Sequence, residues 1–320
     1  MARKLLMRLR VREVHQESSR VKSFTLLHEE RPNLPPFEAG AHVTVVLPSG
    51  IRRPYSLCSD PADLRFYRIG VLREDGGSGG SLAMHKLQPG DRIFVSYPAN
   101  NFPLAEQAAF HLLIAGGIGI TPMLAMARTL KAKQTRFRLH YCAAREDEMA
   151  YLDELRHLCD DGELRLHTSR DPIRPNRLDV RTVLTGLHPG AHVYCCGPRR
   201  LLDEVVSVSQ SVGLPSEALH IERFEGLAAD VRRHGEPFQI EIASTGQTVD
   251  VPENKSALDV LRENNIFVDA SCEGGVCGTC RVRYLAGEPV HRDLALPADE
   301  RTHTVLVCVS RAKGKLVLAL

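Results

Sequence analysis

The sequence predicts a multidomain protein in which an antiparallel β-barrel (1–104) precedes a parallel α/β domain (105–226) and, after a linker (227–236), a small α+β domain (237–320). Short strand-like runs fill the first part of the chain, strands then alternate with helices, and a polar stretch precedes a final cysteine-rich segment. The 320 residues suffice for two or three domains of roughly 100 to 200 residues each, and 43% apolar residues can fill their cores.

The first two predicted domains differ in the spacing of their elements. Short strands separated by Pro, Gly and Asp are typical of an antiparallel barrel, and we expect them at 5–15, 21–27, 42–47, 53–58, 64–71 and 93–96. Strands that alternate with helices imply a parallel sheet covered on both faces. We expect these strands at 110–114, 137–143, 164–168 and 191–196, with helices at 148–158 and 199–212.

The third predicted domain follows a polar stretch that lacks apolar periodicity and contains Arg232, Arg233, His234 and Gly235. Strands are expected at 238–243 and 247–251 and near Val282, Val305 and Leu316. A helix is expected from Ala257 to Glu263, with Ser256 as its cap.

The composition excludes several classes of function. Lys and Arg number 41 against 39 Asp and Glu, and a net charge of +2 provides no strong field for nucleic acid or an anionic membrane. The apolar runs fall short of the roughly 20 residues that cross a bilayer, and the basic start lacks a signal-peptide core. We therefore expect a soluble cytoplasmic protein in which most of the nine cysteines are reduced thiols, metal ligands or redox groups.

Four cysteines near the C-terminus have the spacing of a metal cluster. Cys272, Cys277 and Cys280 follow one another as C-x4-C-x2-C, and Cys308 lies further on, which is how plant-type ferredoxins hold a 2Fe-2S cluster. Intervening glycines let the backbone wrap closely and point N–H groups at sulfur. A structural zinc site is the alternative, although such sites more often pair two C-x2-C knuckles.

Two glycine turns are expected at the carboxyl edge of the parallel sheet. Gly116, Gly117, Gly119 and Thr121 lie between a buried strand and a helix, where a pyrophosphate binds. The second turn follows another strand at Cys196-Gly197-Pro198. A tight turn without a ligand is the alternative for the first, and an inert buried thiol is the preferred interpretation of Cys195 and Cys196, which point to opposite sides of their strand.

A strand of the predicted barrel carries groups suited to a phosphorylated aromatic cofactor. Period two places Arg53, Tyr55 and Leu57 on one face and Ser56 on the other. Arginine binds phosphate through its fork and tyrosine packs on a ring. The glycine and serine loop at 76–81, which includes Gly80 and Ser81, leads into a short helix suited to anions.

With these motifs in this order, the chain resembles the phthalate dioxygenase reductase family, including vanillate O-demethylase reductase subunits, over nearly its whole length. The resemblance implies an FMN barrel, a nicotinamide domain and a C-terminal plant-type ferredoxin domain of the β-grasp type. It implies electron transfer from NAD(P)H through FMN and a 2Fe-2S cluster to a Rieske-type terminal oxygenase acting on an aromatic or similar small substrate.

The resemblance also assigns residues near the cofactors. Phe224 resembles the aromatic residue that closes the flavin, whereas its sequence alone equally fits a core phenylalanine that ends a strand. We expect Thr121, Cys196 and Phe224 at the catalytic centre, where they bind and orient rather than react. Ser169 and Arg170 stand where NADH users often carry acidic residues, and they resemble a 2'-phosphate site. We nevertheless expect NADH to be preferred.

Three rivals remain open. An FAD-containing reductase of the phenylacetate-oxygenase or hybrid-cluster type has the same domain order, and its flavin would distinguish it. A non-enzymatic redox sensor would not rapidly reduce an artificial acceptor. A zinc-stabilised binding module would be colourless.

Overall fold

The computed structural model describes residues 6–47, 50–76, 79–172, 175–224 and 234–320. It forms two compact units, Met1–Phe224 and Glu225–Leu320, and the first contains both the barrel and the parallel sheet. Gly77 and Ser78 of the predicted anion loop, and residues 227–233 of the predicted linker, lie outside the described residues. Among the described residues, no helix has the length and apolar character that crossing a bilayer requires.

The first sheet is an antiparallel barrel with strand order β4-β3-β6-β1-β2-β5, and β7 pairs with β3. A bridge between Leu57 and Ile69 links its two edges. Apolar side chains such as Phe24 and Val43 fill its interior because period two turns alternate residues inward. The strands are β1 Leu6–Ser18, β2 Val21–Leu27, β3 Ala41–Val46, β4 Arg52–Ser56, β5 Tyr67–Leu72, β6 Arg92–Ser96 and β7 Ala99–Asn100, with helix α1 at Gly80–His85.

The second sheet is parallel, with order β10-β9-β8-β11-β12. Successive residues of its central strand β8 face opposite layers: Leu113 packs with helix α2, and Leu112 with helices α4 and α5. The strands are β8 Phe110–Gly116, β9 Phe137–Ala143, β10 Leu164–Thr168, β11 Ala191–Cys196 and β12 Leu219–Glu222; the helices are α2 Ile120–Ala132, α3 Leu152–Leu158, α4 Val180–Thr185 and α5 Arg199–Ser211.

The barrel and the parallel sheet meet where strand β5 approaches helices α2 and α3. A Cβ atom on Gly70 would lie 2.5 Å from the Tyr151 hydroxyl and 2.7 Å from Cγ2 of Thr121, so only glycine fits. Beside this contact, Glu154 of α3 accepts hydrogen bonds from Arg68 of the barrel, at 2.6 Å, and from Arg128 of α2. These contacts fix the position of the barrel relative to the parallel sheet.

The second unit contains a mixed sheet with order β14-β13-β17-β15-β16, packed on helix α6. The expected cap is confirmed: Ser256 accepts from the N–H of Asp259, whose side chain returns to the N–H of Ser256. Gly235 and Glu236, predicted as linker, belong to this unit because their carbonyls accept from the buried Arg311. The elements are β13 Phe238–Ile242, β14 Thr248–Val251, α6 Ala257–Glu263, β15 Arg281–Val290, β16 Thr304–Leu306 and β17 Arg311–Leu318.

Two helices differ from the sequence-based expectation. The helix expected over 148–158 begins only at Leu152, because Tyr151 has a left-handed φ of 61° and residues Glu146–Glu148 form a separate 3₁₀ turn. Helix α4 was not expected, since its 6 residues are too few to produce a clear apolar period.

Candidate functional site

The two glycine turns predicted at the sheet edge lie against each other. A Cβ atom on Gly116 would lie 2.6 Å from Cδ of Pro198, and one on Gly197 would lie 2.9 Å from Cα of Gly116. A Cβ atom on Gly119 would collide with the carbonyl of Cys196, while Gly117 has a left-handed φ of +53°. Larger residues would therefore force the turns apart, as expected for a cradle in which the backbone approaches a pyrophosphate.

A cavity of about 450 Å³ opens beside these turns, between the barrel hairpin at Ser18–Val21 and the sheet edge. Gly116, Gly117, Pro198 and Ser169 line it. Arg170, predicted as a cofactor-binding residue, is exposed and does not line it. The cavity has the size of a small-molecule site, and it is lined by three of the predicted turn residues.

Cys195 and Cys196 point to opposite faces of the sheet, as the strand period predicts. Cys195 packs with the layer of helices α4 and α5 and Cys196 with the layer of α2. Both are fully buried, and burial raises the pKa of each thiol above its usual value. Neither thiol therefore becomes a nucleophile at neutral pH.

Glu222 is a functional candidate that sequence reasoning missed. It ends strand β12 directly beside Cys196 in register, and its Oε2 and the hydroxyl of Ser56 are buried without a hydrogen-bond partner among the described residues. Burial raises the pKa of Glu222 to about 8, although the nearby Cys196 thiol and Ser56 hydroxyl partly lower it. Its only signal in the sequence was an acidic residue at a strand end on the ligand-binding edge.

The buried hydroxyl of Ser56 and Oε2 of Glu222 are suited to hydrogen-bond a polar cofactor ring that binds against the barrel. Ser56 ends strand β4, the strand that also carries Arg53 and Tyr55. Gly80 approaches the Arg53 side chain so closely that a Cβ atom would lie 3.0 Å from its Cγ, which brings the two parts of the predicted flavin motif together. The arrangement fits a flavin nucleotide, with the Arg53 guanidinium suited to a phosphate and the buried polar atoms suited to the ring.

Other predicted barrel residues differ in their surroundings. Leu57 follows strand β4, which ends at Ser56, and it is fully buried in the barrel core, against which Tyr55 also packs. The hydroxyl of Ser81 accepts from the N–H of Glu74 at 3.0 Å, a local loop contact. These two side chains stabilise the barrel and its loop.

Thr121 and Phe224 were expected at the catalytic centre. Thr121 is buried at the start of helix α2, where its hydroxyl donates to the carbonyl of Ile118 at 3.0 Å. Phe224 follows strand β12 and has 39% of its surface exposed, so the core interpretation is wrong. An exposed aromatic ring two residues after Glu222 is available to cover a cofactor.

The four predicted cluster cysteines form two pairs. Hydrogen bonding between Cys272 and Cys277 lowers the pKa of Cys277 and raises that of Cys272. Hydrogen bonding with Cys280 raises the pKa of Cys308. Across the described residues, no three ligating side chains gather about one point as a single ion requires. Two pairs of thiols supply the two ligands that each iron of a 2Fe-2S cluster needs.

The cluster loop is shaped by residues with left-handed φ angles: Glu273 at 51°, Gly275 at 78° and Gly278 at 68°. The N–H of Gly274 donates to the sulfur of Cys272 at 3.4 Å, as expected for a backbone wrapped around sulfur. A Cβ atom on Gly275 would lie 2.8 Å from Val309, so glycine is required here by the protein's own packing.

Replacing Cys277 with alanine tests the cluster ligands. The variant should lose the iron-sulfur absorbance and the electron paramagnetic resonance signal of the reduced cluster, because one iron loses a thiolate, while NAD(P)H still reduces the flavin. Cys159→Ala, in the other unit, is the control and should keep its iron. Wild-type protein without iron, or an intact cluster in Cys277→Ala, would contradict the assignment.

Glu222→Gln tests the buried carboxyl. With its pKa raised to about 8, Glu222 is mostly neutral at pH 7 and becomes ionised as the pH rises through 8, and a negative charge beside the ring opposes arrival of a hydride. We expect the wild-type rate of flavin reduction to fall about tenfold as the pH rises through 8, and the Gln variant to show no such fall. Glu217→Gln, at an exposed position before the same strand, should behave as wild type. Identical pH profiles for Glu222→Gln and wild type would exclude this role.

Comparisons with known proteins agree with the site. Residues 240–313 match the 2Fe-2S iron-sulfur cluster binding domain, and residues 96–219 match the N-terminal domain of dimethylamine monooxygenase subunit DmmA-like proteins. Phthalate dioxygenase reductase of Burkholderia cepacia is 40% identical over 98% of this chain and 97% of its own. A solved phthalate dioxygenase reductase structure covers 98% of both chains with a TM-score of 0.75 at 40% identity.

Two further relatives are named for different demethylases. Vanillate O-demethylase oxidoreductase of Pseudomonas sp. (strain HR199 / DSM 7063) is 41% identical over 88% of this chain and 89% of its own. The heme-dependent oxidative N-demethylase beta subunit of Ectopseudomonas mendocina (strain ymp) is 43% identical, with 89% of each chain covered. The expected fold class and the FMN, nicotinamide and 2Fe-2S cofactors are confirmed. The chain therefore belongs to the phthalate dioxygenase reductase family, as an NAD(P)H-dependent flavin and iron-sulfur oxidoreductase.

Proposed function

We propose that this chain is the reductase component of a two-component Rieske-type oxygenase that demethylates or hydroxylates aromatic compounds. The observation that carries the proposal is that one chain combines a two-pair cysteine loop with a glycine-turn cavity and a buried polar site, formed by Ser56 of the barrel and Glu222 of the sheet, that is unpaired within the described residues. Relatives named as phthalate dioxygenase and vanillate O-demethylase reductases support an oxygenase as the electron acceptor.

The residues of this chain bind and orient the reactants. When bound, FMN accepts a hydride from NAD(P)H and passes its electrons singly to the cluster. Arg53, against Gly80, is assigned to the FMN phosphate, and Ser56 with Glu222 to the polar edge of the ring. We assign the remaining cofactor contacts to Tyr55, Gly116, Gly117, Gly119, Thr121, Ser169, Cys196, Gly197, Pro198 and Phe224.

We also propose domain boundaries and a cellular compartment. We place the boundary between the barrel and the nicotinamide domain at residue 104, before strand β8, and start the ferredoxin domain at His234, because Gly235 and Glu236 are bonded to Arg311. We propose the cytoplasm, where cysteines stay reduced; none of the nine cysteines, all of them within the described residues, forms a disulfide.

A haem-dependent oxygenase is a second candidate partner. The 43% identical relative is named as a subunit of a heme-dependent N-demethylase, and the match over residues 96–219 is to a dimethylamine monooxygenase family. Both partner classes accept single electrons, so the cluster loop alone does not distinguish them.

Electron delivery to purified partners tests the proposal. Reduced protein is mixed anaerobically with the oxygenase component of a vanillate O-demethylase and, separately, with a haem-dependent N-demethylase. We expect the Rieske centre to be reduced at least about tenfold faster, since single-electron delivery requires a docked pair. Cys277→Ala is the control and should reduce neither. Faster reduction of the haem partner would replace the Rieske proposal.

We assign nicotinamide selection to two residues of the cavity lining. Arg177 and Glu204 both line the cavity, and their side chains form an ion pair at 2.9 Å. A carboxylate at this position can accept hydrogen bonds from ribose hydroxyls, repels a 2'-phosphate and occupies the nearby arginine. We therefore propose that NADH is preferred and that Glu204, rather than Arg170, decides the preference.

Glu204→Gln tests this assignment through kcat/KM for NADH and NADPH. Neutralising the carboxylate frees Arg177 for a 2'-phosphate, so the NADPH to NADH ratio should rise roughly tenfold, about 1.4 kcal/mol. Arg170→Ala should leave the ratio unchanged, because Arg170 does not line the cavity. A ratio that changes only in Arg170→Ala would make Arg170 the selector.

A further inference from the structure

A buried carboxylate lies behind the cluster loop. The side chain of Asp293 is inaccessible to solvent, and its Oδ2 accepts from the N–H of Leu296 at 2.9 Å. The Arg301 guanidinium lies 3.4 Å from Oδ2, and Nδ1 of His291 lies 3.5 Å from Oδ1. Oδ1 has no hydrogen-bond partner within the described part of the chain. Carboxylates this deeply buried are rare unless they are paired with a cation and hydrogen-bonded.

Arg301 fixes the turn that Asp293 begins. Its guanidinium donates to the carbonyls of Leu296, at 3.1 Å, and of Asp293, at 2.9 Å. The carbonyl of Arg301 is in turn 3.0 Å from Nε2 of His291 and accepts from the Tyr284 hydroxyl at 3.2 Å. Both ends of the 293–296 turn are thus held by buried or partly buried hydrogen bonds, which low dielectric strengthens.

This turn contacts the cluster loop directly. The N–H of Leu294 donates to the carbonyl of Gly275 at 2.9 Å, midway between Cys272 and Cys277. A Cβ atom on Gly275 would lie 3.3 Å from Cα of Asp293, so the two backbones are in contact. Any movement of the turn must therefore move the loop that carries the cluster thiols.

We propose that Asp293 is a positioning residue for the 2Fe-2S cluster, which holds the loop through Leu294 and Gly275 and, with Arg301, sets the reduction potential of the cluster. The inference rests on the cluster that the proposed function uses. An electron added to the cluster is opposed by a nearby buried negative charge and favoured by a positive one. Asp293 and Arg301 therefore act on the potential with opposite signs.

Two charge-removing variants test the proposal in the full chain. Asp293→Asn keeps the shape and an acceptor for Leu296, and it should raise the midpoint potential of the cluster. Arg301→Gln leaves Asp293 uncompensated and should lower it. Potentials are measured by dithionite titration at pH 8, followed by absorbance and electron paramagnetic resonance, with the flavin potential as an internal standard that should not change.

The control is Asp250→Asn, which removes a carboxylate from an exposed position of strand β14 and should leave the cluster potential unchanged. Asp293→Ala should also broaden or shift the cluster resonance, because the turn loses its acceptor for Leu296. If Asp293→Asn is obtained without iron, Arg301→Gln alone tests the proposal. A lower cluster potential in Arg301→Gln supports it, and an unchanged or higher potential contradicts it.

Unchanged potentials in both variants, or shifts of the same sign, would overturn the proposal. Neither NAD(P)H nor an oxygenase takes part in the titration, so failure of the partner assignment would leave this result intact. Wild-type protein without a cluster would instead contradict the function itself.

Discussion

The close approach of barrel strand β5 to the start of helix α2 is the constraint on which the flavin and nicotinamide sites depend. Gly70 leaves no room for a side chain against Tyr151 and Thr121, and Glu154 is shared between an arginine of the barrel and one of the sheet layer. Partly buried, shared ion pairs hold geometry better than exposed ones. This contact brings the end of strand β4 beside the carboxyl edge of the parallel sheet.

The chemistry of the site follows from that arrangement. The Ser56 hydroxyl from the barrel and Oε2 of Glu222 from the sheet are both buried and have no hydrogen-bond partner among the described residues, while burial keeps the neighbouring Cys196 thiol neutral. Groups of this kind orient a ring and adjust its electrostatics, and none is an activated nucleophile. That is what electron transfer requires, because the cofactors perform the reaction and the protein aligns them.

Sequence reasoning predicted elements whose signal is local. Strand β9 and helix α6 were predicted with their observed bounds because apolar periodicity and a capping serine mark them. The helix start at Leu152 was missed because the left-handed Tyr151 is imposed by its packing against the barrel. Propensity alone cannot anticipate a conformation that tertiary contacts enforce.

Residues of the candidate site were likewise predicted where their signal is local in the sequence and missed where it depends on folding. The cluster cysteines and glycine turns were found because their spacing is itself the signal. Glu222 was missed because it depends on the register of strands β11 and β12, and Glu204 because it meets Arg177 only through folding. Arg170 was chosen by its position in the sequence, which does not give the direction of a side chain.

Anaerobic titration of the holoprotein with NADH, followed in the visible spectrum, tests whether electrons pass from the flavin to the cluster within this chain. We expect the flavin and iron-sulfur bands both to bleach and the chain to take up about three electrons, two on the flavin and one on the cluster. Bleaching that stops after two electrons with the iron-sulfur bands intact, or no bleaching at all, would contradict electron transfer through this chain.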